Sequence, residues 1–289
     1  MKFWQVASFA EPDQLLGIAR AAEEAGFHGL MVSDHLFIPG RIESRYPYSE
    51  DGRPGFDGMT PFPEPWTTIA AMAAVTERLR FGTMVYILPL RHPLPVAKAV
   101  GTAAFLSGGR VALGVGAGWI REEFDTLGVD FRTRGRRMDE MIDAMRTVWS
   151  GEMVSHRGRF FDFGPLQMTP APPEPPPVLV GGLSERALRR AATKGDGWIG
   201  TGQSPEEAAA ILGRLRGLRA EAGREGEPFE AVVPLTVPPD PVLLRDLEAQ
   251  GMTGATVWPF AYTIGPTSTL DQKRDAMRRF ADEVIAKVG

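Results

Sequence analysis

Residues 177–200 read PVLVGGLSERALRRAATKGDGWIG. The apolar, β-branched run Val178 to Val180 has strand composition, Gly181-Gly182 marks a turn, and Ser184 stands where a helix N-cap belongs. Glu185 to Thr193 then carries a helical pattern, and Gly197 to Thr201 is a second apolar run. Two short strands joined through a helix are the mark of a right-handed parallel crossover.

The same unit recurs in both directions along the chain. Strand-like runs also fall at Phe3 to Phe9, Gly29 to Ser33, Leu79 to Ile87, Val111 to Val115, Ala231 to Val237 and Gly254 to Pro259. Helical patterns separate them, at Gln14 to Ala25, Trp66 to Thr76, Pro95 to Ser107, Arg134 to Trp149, Pro205 to Ala222 and Pro241 to Ala249, and Leu270 to Val288 closes the chain. In the first helix Leu15, Ile18, Ala22 and Ala25 recur every three or four residues, a stripe that packs on a sheet while Arg20, Glu23 and Glu24 stay wet. Eight such units in 289 residues predict an α/β fold of the (β/α)8 TIM-barrel type in one domain spanning residues 1–289. The competing open, doubly wound sheet usually has fewer strands and a phosphate-binding Gly turn after its first, which is missing here. Two insertions interrupt the barrel: Phe37 to Pro65 after strand 2, and Gly151 to Pro177 before strand 5. The second holds a predicted hairpin, Met153 to Phe163, turning near Arg157-Gly158, and an extended Pro-rich bridge. The first is expected to fold over the barrel mouth as a lid.

Composition narrows the function. A formal charge of −4 supplies no basic field for nucleic acid, and no apolar stretch is long enough to span a bilayer. The chain has no Cys, which removes thiolate chemistry and Cys-bound metals, and its four His residues are too scattered for a metal cage. The start, MKFWQVASFAEPDQ, is polar where a secretory signal would be apolar, so a cytoplasmic protein is expected. The expected partner is a small-molecule substrate, with a homodimer as the candidate assembly.

Barrels of this type do their chemistry at the C-terminal ends of the strands. After strand 2 come Asp34 and His35, a pair suited to moving a proton near neutral pH or, equally, to anchoring the long insertion. His28, His92 and His156 read as structural. After strand 5, Gly181, Gly182 and Ser184 offer free backbone N–H groups at a helix N-terminus, which suits either a phosphate or a plain capped turn. After strand 4, GVGAG includes Gly116, where lack of a side chain gives clearance for a cofactor or only close packing. Trp66, Tyr86, Trp119 and Trp258 are candidates for an apolar substrate pocket, and Glu122 is a further carboxylate, expected among the cofactor-binding residues.

Taken together, SDHLFIP (33–39), RFGTMVYILPLRHP (80–93), SGGRVALGVGAGWIREEFDTLG (107–128), RGRRMDE (134–140) and the stretch quoted first resemble the bacterial luciferase-like monooxygenase superfamily, and within it the branch of oxidoreductases that use the deazaflavin coenzyme F420. The resemblance covers residues 1–202 and is generic thereafter. It implies a (β/α)8 barrel with a flavin or deazaflavin ring at the C-terminal mouth. His35, with Asp34 beside it, would face the reactive edge of the ring. Met84-Val85 would form a bulge with a non-prolyl cis peptide behind it. Gly181, Gly182, Ser184, Thr201 and Gly202 would take the phosphate of the cofactor tail.

One departure bears on the substrate. The sugar-phosphate dehydrogenases of that branch carry a Glu directly after the Gly-x-Gly of strand 4, and this chain has Trp119 there. An indole offers apolar surface and a single N–H donor, which favours a less polar substrate. The expected activity is hydride transfer between F420 and a small organic substrate, with His35 handling one proton. An FMN-dependent monooxygenase is the alternative, and a non-catalytic flavin-binding barrel is a third reading.

Overall fold

The computed structural model describes residues 1–288; Gly289 lies outside the described residues. Eight strands form the barrel: Lys2–Val6, Gly29–Val32, Arg80–Thr83, Val111–Gly116, Val178–Gly181, Gly197–Ile199, Glu230–Val233 and Gly254–Val257. Each pairs in parallel with its sequence neighbour, the third with the fourth, and the eighth returns to the first with Gly254 opposite Lys2. The sheet is therefore closed, as the strand count predicts.

Side chains alternate across it. Trp4, Met31, Ala112, Leu179, Ile199 and Val232 point inward and fill the barrel. Phe3, Leu30, Phe81, Leu113, Val180 and Trp198 point outward into the layer beneath the helices. The period of two along each strand separates these two cores. Close packing decides a glycine in the wall, since a Cβ on Gly114 would overlap the Thr83 carbonyl oxygen.

Helix ends follow their sequence signals. Ser184 caps the helix Glu185–Lys194 through Ala187 N–H, and Ser204 and Thr269 form full capping boxes on Pro205–Glu221 and Leu270–Phe280. The last helix departs from expectation, because Ala281–Ile285 forms a π turn between Leu270–Phe280 and Ala286–Val288. Among the described residues no helix is long and apolar enough to cross a membrane.

Two differences at the mouth matter for the site. The expected run Leu79 to Ile87 is not one strand: it breaks after Thr83 at a cis Met84-Val85 peptide, the one the resemblance implies, and Tyr86–Ile87 then pairs alongside Val115 and Gly116. A short helix, Arg121–Thr126, follows the fourth strand where no element was expected. Of the insertions, the second forms the predicted hairpin, Val154–Arg157 against Asp162–Leu166. The first, residues 37–64, has no regular elements and lies across the C-terminal mouth.

Candidate active site

His35 leaves the second strand on the inner side of the mouth. Its side chain is only 8% exposed, and its Nδ1 lies 3.2 Å from Oε2 of Glu123, whose side chain is 0% exposed. The other carboxylate oxygen, Oε1, is buried with no hydrogen-bond partner among the described residues. Nε2 of His35 meets no partner among the described residues. The ring is enclosed by Phe56 and Phe62 of the insertion, each 4.9 Å between centroids, and by Trp119 at 6.5 Å.

Asp34 does something other than support that imidazole. It takes two hydrogen bonds from Arg91, at 2.6 and 2.8 Å, and one from the Ile87 N–H at 2.8 Å. Arg91 in turn lies 4.0 Å over the Tyr86 ring. Asp34 thus fastens the segment that follows the cis peptide, while His35 is served by Glu123.

Glu122 and Glu123 are neighbours with opposite duties. Glu122 accepts hydrogen bonds from the backbone of Glu43 and Ser44 and from the Ser44 hydroxyl, and so pins the insertion to the fourth-strand loop. Burial pushes its carboxyl up, but these hydrogen bonds outweigh that and hold it below the usual carboxylate range. Sequence reasoning chose Glu122 and missed Glu123. The pattern becomes legible only once the short helix is known: Ile120 and Phe124 are fully buried, and Glu123 shares their face whereas Glu122 does not.

The floor of the mouth is apolar. Met84 and Val85 pack on the inner core, and Val85 fills the space that a Cβ on Gly116 or Gly181 would need. Close packing therefore accounts for glycine at both positions. Ser8 and Ser33 share a hydrogen bond beside this floor, and Ser33 donates to the Met84 carbonyl at 3.0 Å. A small cavity adjoins them, lined also by Phe9, Phe62 and Pro63. Phe9 holds φ at 64°, a left-handed conformation uncommon for a large side chain, and its ring packs on Phe56, Phe62 and Tyr262.

The remaining expected site residues divide. Trp119 and Trp258 stand at the mouth, Trp119 against Tyr46 at 5.1 Å and Trp258 beside Gly202, with its indole N–H on the Leu235 carbonyl. Trp66 and Tyr86 do not line it: both are buried in the layer between helix Pro65–Ala73 and the sheet, 5.9 Å from each other. Gly182 needs its glycine, with φ at 119° and its missing Cβ within 3.0 Å of Ala187 Cβ. The exposed N-terminus of the Ser184-capped helix follows directly. The N–H groups of Thr201 and Gly202 are turned to the Gln203 side chain, at 3.1 and 3.4 Å. Tyr48 reaches across from the insertion to the Gly182 side. Burial pushes the phenols of Tyr46 and Tyr48 up, the former to about 12.

A closed parallel barrel whose polar groups gather at the strand C-termini is a (β/α)8 barrel of the kind that works at its mouth. Within that class the chain belongs to the luciferase-like monooxygenase family, whose model matches residues 4–241. It is 40% identical over 294 residues to an uncharacterized protein of Mycobacterium tuberculosis, covering all of both chains. It is 32% identical over 269 residues to the F420-dependent glucose-6-phosphate dehydrogenase of Beutenbergia cavernae, covering 91% of this chain and 75% of that one. A solved monooxygenase from Streptomyces bottropensis shares the fold with a TM-score of 0.79 at 20% identity, covering both chains fully.

Proposed function

We propose that this protein is an oxidoreductase that transfers hydride between coenzyme F420 and a small, mainly apolar organic substrate. The observation that carries the proposal is His35, held at the mouth by a buried carboxylate and surrounded by Phe56, Phe62 and Trp119. The residues present fit a planar cofactor with an anionic tail. Met84 and Val85 offer an apolar floor, and Gly182 with the N-terminus of helix Glu185–Lys194 offers N–H groups and a positive helix end. When bound, F420 supplies a ring carbon that accepts or gives up hydride. The protein's own work is to orient the partners, exclude water beneath the insertion and move one proton at His35. The relative from Beutenbergia cavernae is named for F420 and glucose 6-phosphate. Trp119 packs against Tyr46 and His35 and brings no charge to the mouth, so a sugar phosphate fits poorly here.

The test is titration of the purified protein with F420 and with FMN, followed by fluorescence. Micromolar or tighter F420 binding is expected, with FMN at least about tenfold weaker, a difference of about 1.4 kcal/mol. Equal or inverted affinities favour the FMN-dependent monooxygenase, a reading that the family's name supports. His35→Asn is expected to keep the cofactor and to lower turnover by about 10²–10⁴-fold. Unchanged turnover would make His35 a loop anchor.

A further inference from the structure

We propose that Glu123 is a positioning residue that sets the tautomer of His35, holding its proton on Nδ1 so that Nε2 offers a lone pair and takes a proton from the bound substrate. The proposal rests on the preceding one for its chemistry and on the dyad's geometry for its structure. Glu123 reaches the site from a helix 88 residues further along the chain and is fully buried. Among the described residues its Oε1 has no hydrogen-bonding partner, and its Oε2 has one, His35 Nδ1. A buried carboxylate with so few partners is an expensive way to fill a core, and a Leu or Met would pack there at lower cost. Its residue type is therefore explained by what it does to the imidazole.

The tautomer follows from hydrogen bonding. A carboxylate can only accept, so Nδ1 must donate to it, and a neutral imidazole then carries no hydrogen on Nε2. Once Nε2 takes a proton, the imidazolium keeps its Nδ1–H on Glu123, which balances the new charge. Asp34 cannot do this work, because Arg91 and the Ile87 N–H occupy its carboxylate. Lys273, another buried charged group, is satisfied by Glu11, Gln14 and the Ser268 carbonyl.

The experiment is two-bond ¹H–¹⁵N correlation on ligand-free protein with labelled histidine, at a pH where the imidazoles are neutral, with the His35 signals assigned by their loss in His35→Asn. Wild type is expected to show a protonated Nδ1 and an unprotonated Nε2. Glu123→Leu removes the acceptor and should shift His35 toward the Nε2–H form, whereas Glu123→Gln keeps a carbonyl acceptor and should retain the Nδ1–H form. Turnover should fall at least about 100-fold in Glu123→Leu and less in Glu123→Gln, with KM within about threefold, the pattern of a lost orienting group. A merely structural Glu123 predicts the reverse, since the apolar replacement would then be the best tolerated. A wild-type signal with the proton on Nε2, or an unchanged signal in Glu123→Leu, overturns the proposal. The wild-type spectrum decides the matter even if a variant fails to fold. An Nδ1–H signal without F420-dependent turnover overturns the cofactor reading alone, and F420-dependent turnover with an Nε2–H signal overturns the dyad alone.

Discussion

Replacing Arg91 with Met tests whether Asp34 is a structural carboxylate. The pair is bidentate, with Asp34 1% and Arg91 12% exposed in their side chains, so removing the guanidinium strands a carboxylate away from water. Breaking a buried pair in this way costs about 3–5 kcal/mol. With an unfolding entropy of about 2.1 cal/mol/K per residue, that corresponds in a 289-residue chain to a fall in Tm of about 5–8 °C. Met keeps an apolar stem over Tyr86, so lost packing adds little. Asp34→Asn retains an acceptor for the Ile87 N–H and leaves Arg91 partly in reach of water, and it should cost about 1–3 kcal/mol. The double variant leaves no bare charge and should be more stable than the sum of the single changes by about 1–3 kcal/mol. Urea denaturation at fixed pH, with the slope checked for constancy, measures all three. An Arg91→Met protein within about 1 kcal/mol of wild type, or additive single effects, would refute the reasoning. So would an Asp34→Asn protein of wild-type stability with strongly reduced turnover, because Asp34 would then be acting on His35.

Ser184→Asp retains a good helix N-cap but sets a carboxylate at the N–H groups offered to the cofactor tail; F420 affinity should fall at least about tenfold with Tm unchanged, as read by titration and thermal melting. It is a cleaner probe than a substitution at Gly182, where φ of 119° strains any side chain. Burial, reinforced by the charges of Lys2 and Arg80, pushes His28 down from 6.5 to about 4. The unfolded chain therefore binds more protons between those values, and the fold should lose about 3 kcal/mol as pH falls through that window, a slope that His28→Gln should flatten in pH-dependent denaturation. Hydrogen exchange in residues 37–64 should slow on saturation with F420, since Phe56, Phe62 and Tyr46 of that segment enclose the mouth; exchange that does not change would count against closure over a ligand.

The strands and helices were legible because each depends on its own neighbours in sequence. Alternation of short β-branched runs with helical stripes is a local property, and eight repeats leave few ways to bury every stripe other than a closed sheet. Caps such as Ser184 and Ser204 are equally local. The break at Met84-Val85 was less so, since residues 79–87 read as one apolar run and only the resemblance to a family pointed to a bulge. The helix Arg121–Thr126 is too short for its periodicity to stand out.

The sequence by itself determined that a barrel forms and that His35 leaves a strand at the chemically useful end. Tertiary structure alone decided which partner each polar group found. Asp34 and His35 follow the second strand and find different partners: one meets Arg91, 57 residues on, and the other Glu123, 88 residues on. The same geometry sent Trp66 and Tyr86 beneath the helices and left Trp119 and Trp258 at the mouth. Composition cannot report such choices, because an aromatic ring or a carboxylate looks alike in sequence on either side of a sheet, and only closure of the barrel assigns the sides.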